Sequence, residues 1–234
     1  MTGKIHSFQS LGATDGPGVR FVVFMQGCGL RCGYCHNPDT WDLNGGNEFE
    51  PYEVVEKVKR YKEYFGKDGG VTVSGGEPLL QTEFVTEVFR LCHESGINTC
   101  LDTSGFRTGI VVERLLEYTD RVLLDIKFTN DGDYRRYVGM PISVPLEFLE
   151  LSNSLGVPVW LRQVIVPTLN DNEQNARLLR NLKDRYSCVE KVELLPFRKI
   201  CSVKYDNMGI EFPFAKYDVP DKQTLDGLYE ILRT

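Results

Sequence analysis

Repeated β–α units around a parallel sheet are what this chain implies, an α/β fold resting on three observations. Apolar runs of strand length alternate with longer segments of helical spacing, the pattern of strands joined by crossover helices. The chain has 234 residues with 41% hydrophobic content, enough for one large core. Motifs rich in Gly, Cys and acidic residues stand just after the apolar runs, where ligands gather at the carboxyl ends of strands in barrels and doubly wound sheets alike.

The elements follow in order. Residues 20–25 (RFVVFM) are apolar after the first position and read as a strand that leads directly into three cysteines. Residues 51–64 carry Val54, Val55 and Val58 on one helical face, and 70–73 (GVTV) form the next short apolar run. Residues 82–95 repeat the helical spacing through Phe84, Val85, Val88 and Phe89, and 99–102 (TCLD) are again of strand length. The alternation continues with a helix over 110–118, a strand over 122–125, a helix over 145–155 and a strand over 159–166. A helix over 172–186, a strand over 189–195 and a last helix over 221–232 complete it. Six such units are too few for a complete eight-stranded barrel, so periodicity leaves an open doubly wound sheet and a partial barrel both standing. Residues 198–220, rich in aromatics and holding Pro213 and Pro220, read as an irregular loop over the barrel rim or its open side.

No apolar run is long enough to span a membrane, and the opening Met1-Thr2-Gly3-Lys4-Ile5-His6 lacks the apolar core of a signal peptide, so a soluble cytoplasmic protein is expected. Seven cysteines, an odd number, fit a reducing compartment better than a disulfide framework. The net charge of -6 is a modest acidic excess without a block of like charges, which gives no nucleic-acid arm. Nothing calls for an obligate oligomer, and a monomer is expected.

The stretch Gly27-Cys28-Gly29-Leu30-Arg31-Cys32-Gly33-Tyr34-Cys35-His36-Asn37 sets three cysteines at C-x3-C-x2-C spacing. A metal site that only holds a fold is normally closed by four protein ligands, whereas three thiolates around a four-iron cluster leave one iron open to bind something else. Gly27, Gly29 and Gly33 would let the backbone wrap closely around such a cluster. The alternative is a zinc site with His36 or a distant cysteine as fourth ligand. Structural zinc sites usually pair C-x2-C with a second pair, and Cys92, Cys100, Cys188 and Cys201 are scattered without ligand spacing. Those four read as small buried hydrophobes.

The spacing, with the aromatic Tyr34 before the last cysteine, resembles that of the radical S-adenosylmethionine (SAM) enzymes. From about Ile5 to its end the chain resembles one branch of them, the glycyl-radical-enzyme activating enzymes. The motifs that carry this are Asp15-Gly16-Pro17-Gly18-Val19-Arg20, Tyr34-Cys35-His36-Asn37-Pro38, Ser74-Gly75-Gly76-Glu77-Pro78, Asp102-Thr103-Ser104-Gly105 and Leu124-Asp125-Ile126-Lys127. The resemblance implies a partial (β/α)6 TIM-like barrel, one activase domain over residues 1–234. It also implies a [4Fe-4S] cluster on Cys28, Cys32 and Cys35 with SAM on the fourth iron. The implied chemistry is that of an oxidoreductase: SAM is cleaved reductively, and the 5′-deoxyadenosyl radical takes the α-hydrogen of a glycine on a partner protein. Flavodoxin or ferredoxin would supply the electron. Activases for choline, glycerol and aromatic substrates commonly carry a cysteine-rich insert, and no cysteine lies between Cys35 and Cys92, which favours pyruvate formate-lyase as partner. The alternatives are an activase of another glycyl radical enzyme and, from a different class, a non-catalytic iron-sulfur or zinc protein.

The same resemblance implies roles residue by residue. Gly75, Gly76 and Glu77 would meet the methionine end of SAM, Gly76 by close backbone approach and Glu77 by receiving the amino group. Tyr34, Cys35 and His36 would border the adenine, while Asp125, Ile126 and Lys127 would contact the ribose or the methionine carboxylate region. Asp102, Thr103, Asp125 and the carbonyl of Leu123 match positions that hold a monovalent cation, for which oxygen ligands are suited. Arg198 stands where relatives commonly have a histidine after Leu194-Leu195-Pro196-Phe197; a guanidinium cannot titrate near neutral pH but can hydrogen-bond a ribose or carboxylate, so Arg198 is a candidate for the SAM site. Asp15, in Asp15-Gly16-Pro17-Gly18, and Arg162 are candidates for contacting the partner's glycine segment, the alternatives being a turn and a barrel-interior ion pair.

Overall fold

The computed structural model describes residues 1–233. Its strands are β1 (Gly3–Gly12), β2 (Arg20–Met25), β3 (Asn47–Phe49), β4 (Gly70–Gly75), β5 (Asn98–Thr103), β6 (Arg121–Asp125), β7 (Val159–Ile165) and β8 (Val189–Pro196). They form one sheet in the order β3-β1-β2-β4-β5-β6-β7-β8. From β2 to β8 every neighbouring pair is parallel, giving six parallel strands. β1 lies antiparallel on β2, and β3 antiparallel on β1. With β3 and β8 at opposite ends of the order the sheet is unclosed, as a partial barrel of six β–α units requires.

The crossovers are α1 (Pro51–Lys59), α2 (Thr82–Glu94), α3 (Ile110–Leu116), α4 (Asp131–Tyr137), α5 (Ser143–Ser154) and α6 (Glu173–Arg185), with α7 (Ser202–Met208) and α8 (Lys222–Arg233) after the last strand. α1 starts on a capping box in which the Glu50 and Glu53 side chains each meet the other's backbone, with Pro51 in the first turn. α2 buries Phe84, Val85, Val88, Phe89 and Cys92, positions that recur on one helical face, against the sheet.

All six parallel strands fall where the periodicity puts them. The two antiparallel strands do not show in it: β1 is half polar and partly exposed, and β3 has three residues. α1 is shorter than the 51–64 pattern, since the chain leaves the helix after Lys59 and makes a separate turn over Lys62–Tyr64. Residues 198–220 are not wholly irregular, because α7 lies inside them and ends on Gly209 in the left-handed conformation (φ 66°).

Two apolar clusters result. The larger lies between the outer face of the sheet and the helices. The smaller surrounds the cysteine loop and joins Leu30, Cys32 and Tyr34 to Phe128, Tyr134, Val138, Phe197, Tyr205, Phe212 and Phe214. Cys92, Cys100 and Cys201 are nearly inaccessible and Cys188 is buried, as small hydrophobes should be. Among the described residues no helix is long and apolar enough to cross a membrane.

Candidate functional site

At the carboxyl ends of β2, β4, β5 and β6 the motifs converge. One cavity is lined by Cys28, Cys32, Cys35, Tyr34 and His36 from the loop after β2, and by Gly75, Gly76 and Glu77 from β4. Asp102 and Thr103 from β5, Asp125 and Lys127 from β6, Arg162 from β7, and Asp15 complete it. A second groove, between α1, α2 and α3, contains none of these residues.

The cysteine loop is held by main-chain bonds to its surroundings. Gly27 N–H donates to Thr40 (2.7 Å), Gly33 N–H to Tyr137 (2.9 Å), and Glu77 N–H to the Gly27 carbonyl (2.9 Å). This last contact explains Gly76: a Cβ there would stand 2.2 Å from the Gly27 oxygen. The close approach expected of Gly76 is therefore first of all to the cysteine loop. Gly33 is likewise required, since a Cβ would lie 2.1 Å from the Phe214 ring, whereas Gly29 faces open space.

Burial pushes the Cys28 thiol up to about 12, with the Glu77 carboxylate adding to the effect, and pushes Cys32 and Cys35 up to about 11. Such thiols hold their protons at neutral pH unless a strongly positive centre displaces them, which is what iron does to a coordinating sulfur. Three sulfur donors on one short loop, at the edge of a cavity, thus fit an iron-sulfur cluster. His36 Nε2 lies 3.1 Å from the Arg198 carbonyl oxygen, which fixes the ring at the edge of the cysteine loop. Among the described residues no three His, Cys, Asp or Glu side chains converge on a single-ion site.

Glu77 is 2% exposed and its carboxylate is surrounded by donors. One oxygen accepts from Thr103 Oγ1 (2.6 Å) and Leu79 N–H (3.1 Å); the other accepts from Ser104 N–H (2.9 Å) and the Ser104 hydroxyl. Four bonds fill the acceptor capacity of a carboxylate. Glu77 therefore ties the end of β4 to the end of β5, a structural task that its expected contact with an amino group left out.

Asp102 accepts from Ser74 Oγ (2.7 Å) and lies 3.6 Å from Arg162 Nη1. Burial raises its carboxyl to about 6, the Arg162 charge opposing and Asp125 reinforcing the rise. Asp125 pairs with Lys127 Nζ at 2.8 Å. Asp102 and Asp125, half-buried beside Thr103, place hard oxygen donors together as a cation site would need, although each carboxylate already faces a cationic side chain. Leu123 opposes Asp102 in the β5–β6 register and is fully buried outside the cavity lining.

Other expected residues take mixed places. Arg162 enters the cavity with only a tenth of its side chain exposed, and its Nε lies 3.5 Å from Glu193 without a hydrogen bond. The Tyr34 hydroxyl is also buried without a partner among the described residues. Both are polar atoms that a ligand could satisfy. Ile126 turns into the large core, and Arg198 is exposed and outside the lining. Sequence reasoning missed α7: Tyr205 Oη donates to the Cys35 carbonyl (3.2 Å), and Lys204 Nζ reaches Asn37 (2.9 Å) and Asp39 (3.0 Å). The aromatic content of 198–220 was the available signal.

Comparison with known proteins identifies the family of the chain. A model of the "Radical SAM superfamily" matches residues 22–179. The pyruvate formate-lyase-activating enzyme of Clostridium pasteurianum is 46% identical over 232 residues, covering 99% of this chain and 97% of that one. The pyruvate formate-lyase 1-activating enzyme of Escherichia coli (strain K12) is 43% identical over 233 residues, covering 98% and 95%. Among solved structures, a domain of pyruvate-formate lyase-activating enzyme from Bacteroides vulgatus superposes with a TM-score of 0.60 at 22% identity, over 70% of this chain and 93% of that one. Streptococcus suis SuiB bound to S-adenosylmethionine superposes with a TM-score of 0.67 at 14% identity, over 88% and 44%. At these identities the structures speak to the fold alone.

Proposed function

The chain belongs to the pyruvate formate-lyase-activating enzymes of the radical SAM superfamily, and from that membership we propose that it installs the glycyl radical of pyruvate formate-lyase. The observation that carries the reading is the convergence of three thiols, one buried and two half-buried, with the ends of β4, β5 and β6 on one cavity. When bound, a reduced [4Fe-4S] cluster with SAM on its open iron supplies the one-electron cleavage of the sulfonium bond and the radical that removes a glycine α-hydrogen.

The protein's own residues orient and enclose. Cys28, Cys32 and Cys35 hold the iron. Gly75 sets the end of β4 against β2 and Gly76 sets the main chain against the cysteine loop, leaving a polar floor for the methionine end of SAM. Tyr34 and His36 border the adenine side, and Lys127, with Ile126 fixing its strand end, faces the ribose or carboxylate. Asp102, Thr103, Asp125 and the Leu123 carbonyl hold a monovalent cation that neutralises the two carboxylates. Asp15 and Arg162 face the partner's glycine segment. Arg198, exposed as it stands, takes no part in SAM binding in this reading. We read the chain as one activase domain acting as a monomer in the cytoplasm, with flavodoxin or ferredoxin as electron donor.

The test is anaerobic reconstitution with iron and sulfide, followed by reductant, SAM and pyruvate formate-lyase. Deoxyadenosine by chromatography together with a glycyl radical by electron paramagnetic resonance is the expected result. Deoxyadenosine without that radical would assign the partner wrongly, and a protein that takes up zinc and makes no deoxyadenosine would overturn the proposal.

A further inference from the structure

We propose that Arg20 and Thr72 are positioning residues for Asp15, setting from within the barrel the depth at which its carboxylate stands in the cavity. The inference rests on the reading of Asp15 as a contact for the partner's glycine segment.

The connection between β1 and β2 pairs Gly12 with Arg20 and leaves residues 13–19 between them. This segment turns into the barrel. A Cβ on Gly16 would lie 3.3 Å from Cys100 Sγ and 3.7 Å from both Thr72 Oγ1 and Arg20 Nε, and all three of those residues are fully buried. The segment is seated tightly at its far end too, since a Cβ on Gly18 would meet Gly69 N at 2.5 Å.

A chain of bonds runs from the barrel floor to Asp15. Arg20 Nε donates to Thr72 Oγ1 (3.0 Å), and the Thr72 hydroxyl donates to the Asp15 carbonyl oxygen (2.7 Å). The remaining guanidinium donors go to the carbonyls of Val71 (2.5 Å), Asp68 (3.2 Å) and Pro17 (3.4 Å), and to Asn98 Oδ1 (2.8 Å). Every one of these acceptors is neutral. A guanidinium with no exposure and no carboxylate in contact is costly to bury, and packing alone would be served as well by an apolar side chain. What the planar fork adds is geometry: it ties the 13–19 segment, β4 and β5 into one unit. Thr72 Oγ1 both accepts and donates, so its rotamer is fixed, and with it the Asp15 main chain beneath the side chain that lines the cavity.

Thr72→Val keeps the shape and removes the hydroxyl; Thr72→Ser keeps the hydroxyl. In the reconstituted enzyme, Thr72→Val, which removes both hydrogen bonds of the hydroxyl, should raise the KM for pyruvate formate-lyase about tenfold, or about 1.4 kcal/mol. It should also increase the deoxyadenosine made per glycyl radical and speed amide exchange over residues 14–19. Iron per chain and SAM affinity should hold, and Thr72→Ser should restore all three altered quantities. An unchanged KM and coupling ratio in Thr72→Val would overturn the inference. Asp15→Asn separates the two levels. If it raises the KM while Thr72→Val does not, only the relay fails; if it has no effect on partner KM, the reading of Asp15 fails and the relay with it. Should Thr72→Val lose iron or fail to fold, Arg20→Lys, which keeps the charge without the fork, must give the same KM and coupling changes, and a normal KM there refutes the relay.

Discussion

Gly76 and Asp102 show how single positions combine fold and chemistry. At Gly76 the constraint is steric, because the Gly27 carbonyl occupies the space of a Cβ. Gly76→Ala should cost about 1–3 kcal/mol through overpacking and, because the strain falls on the cysteine loop, should lower iron retention. Urea denaturation and iron per chain check both; full iron content would show that the contact can relax without disturbing the loop. At Asp102 the constraint is electrostatic. Its carboxyl is raised to about 6 by burial, so the folded protein binds a proton more tightly than the unfolded chain does. Between the ordinary carboxylate value and about 6, stability of the cation-free protein therefore falls as pH rises. Asp102→Asn should flatten that fall, while potassium should shift it to lower pH in the parent protein and not in the variant. Thermal unfolding across pH 4–7, a window set by that shift, with and without the cation, reads the sign directly. A stability that rises through this window and is indifferent to Asp102→Asn would remove the argument.

α7 and the segment around it form a clamp on the cysteine loop. Tyr205 bonds the Cys35 carbonyl and packs edge-on to Trp41, while Phe214 lies on Gly33 and meets the Tyr34 ring with centroids 5.6 Å apart. Phe214 is 2% exposed, so Phe214→Ala should cost about 3–5 kcal/mol and open a path from solvent to the thiols. Faster loss of the iron-sulfur absorbance in air, with β-sheet circular dichroism retained at low temperature, is the expected outcome; an unchanged rate would mean that the ring packs without shielding. This clamp was the least legible element, for a physical reason. β2 is buried along nearly its whole length and is apolar after Arg20, so 20–25 coincides with it to the residue. α7 instead draws its stability from aromatic contacts distant in sequence, and only Tyr205 on it is buried, so no apolar face repeats along it. The rim residues were legible because their motifs follow the strands directly. The relay from Arg20 to Asp15 was not, since it depends on a segment that folds back into the barrel. Nor was the satisfied carboxylate of Glu77, whose donors come from β5 and the turn after it.

The molecule as a whole carries two apolar clusters with different dependence on iron. The large one joins the outer sheet face to α1, α2, α6 and α8 without including any ligand cysteine. The small one contains Cys32 and Tyr34, and its aromatic pairs bridge the cysteine loop to Phe128, Phe197 and the α7 segment. With the ligand thiols pushed up by burial, a metal-free loop keeps three neutral sulfurs in a space shaped by their coordination. Metal binding and local folding should therefore be coupled in the small cluster and uncoupled in the large one. Removing the cluster by chelation should speed amide exchange over residues 27–41 and 199–217 while β4 to β7 stay protected. Adding iron and sulfide back should reverse the change. Uniform loss of protection through β4–β7 would instead mean that the barrel itself is built on the cluster, and that the rim motifs are held in register by iron rather than by the sheet beneath them.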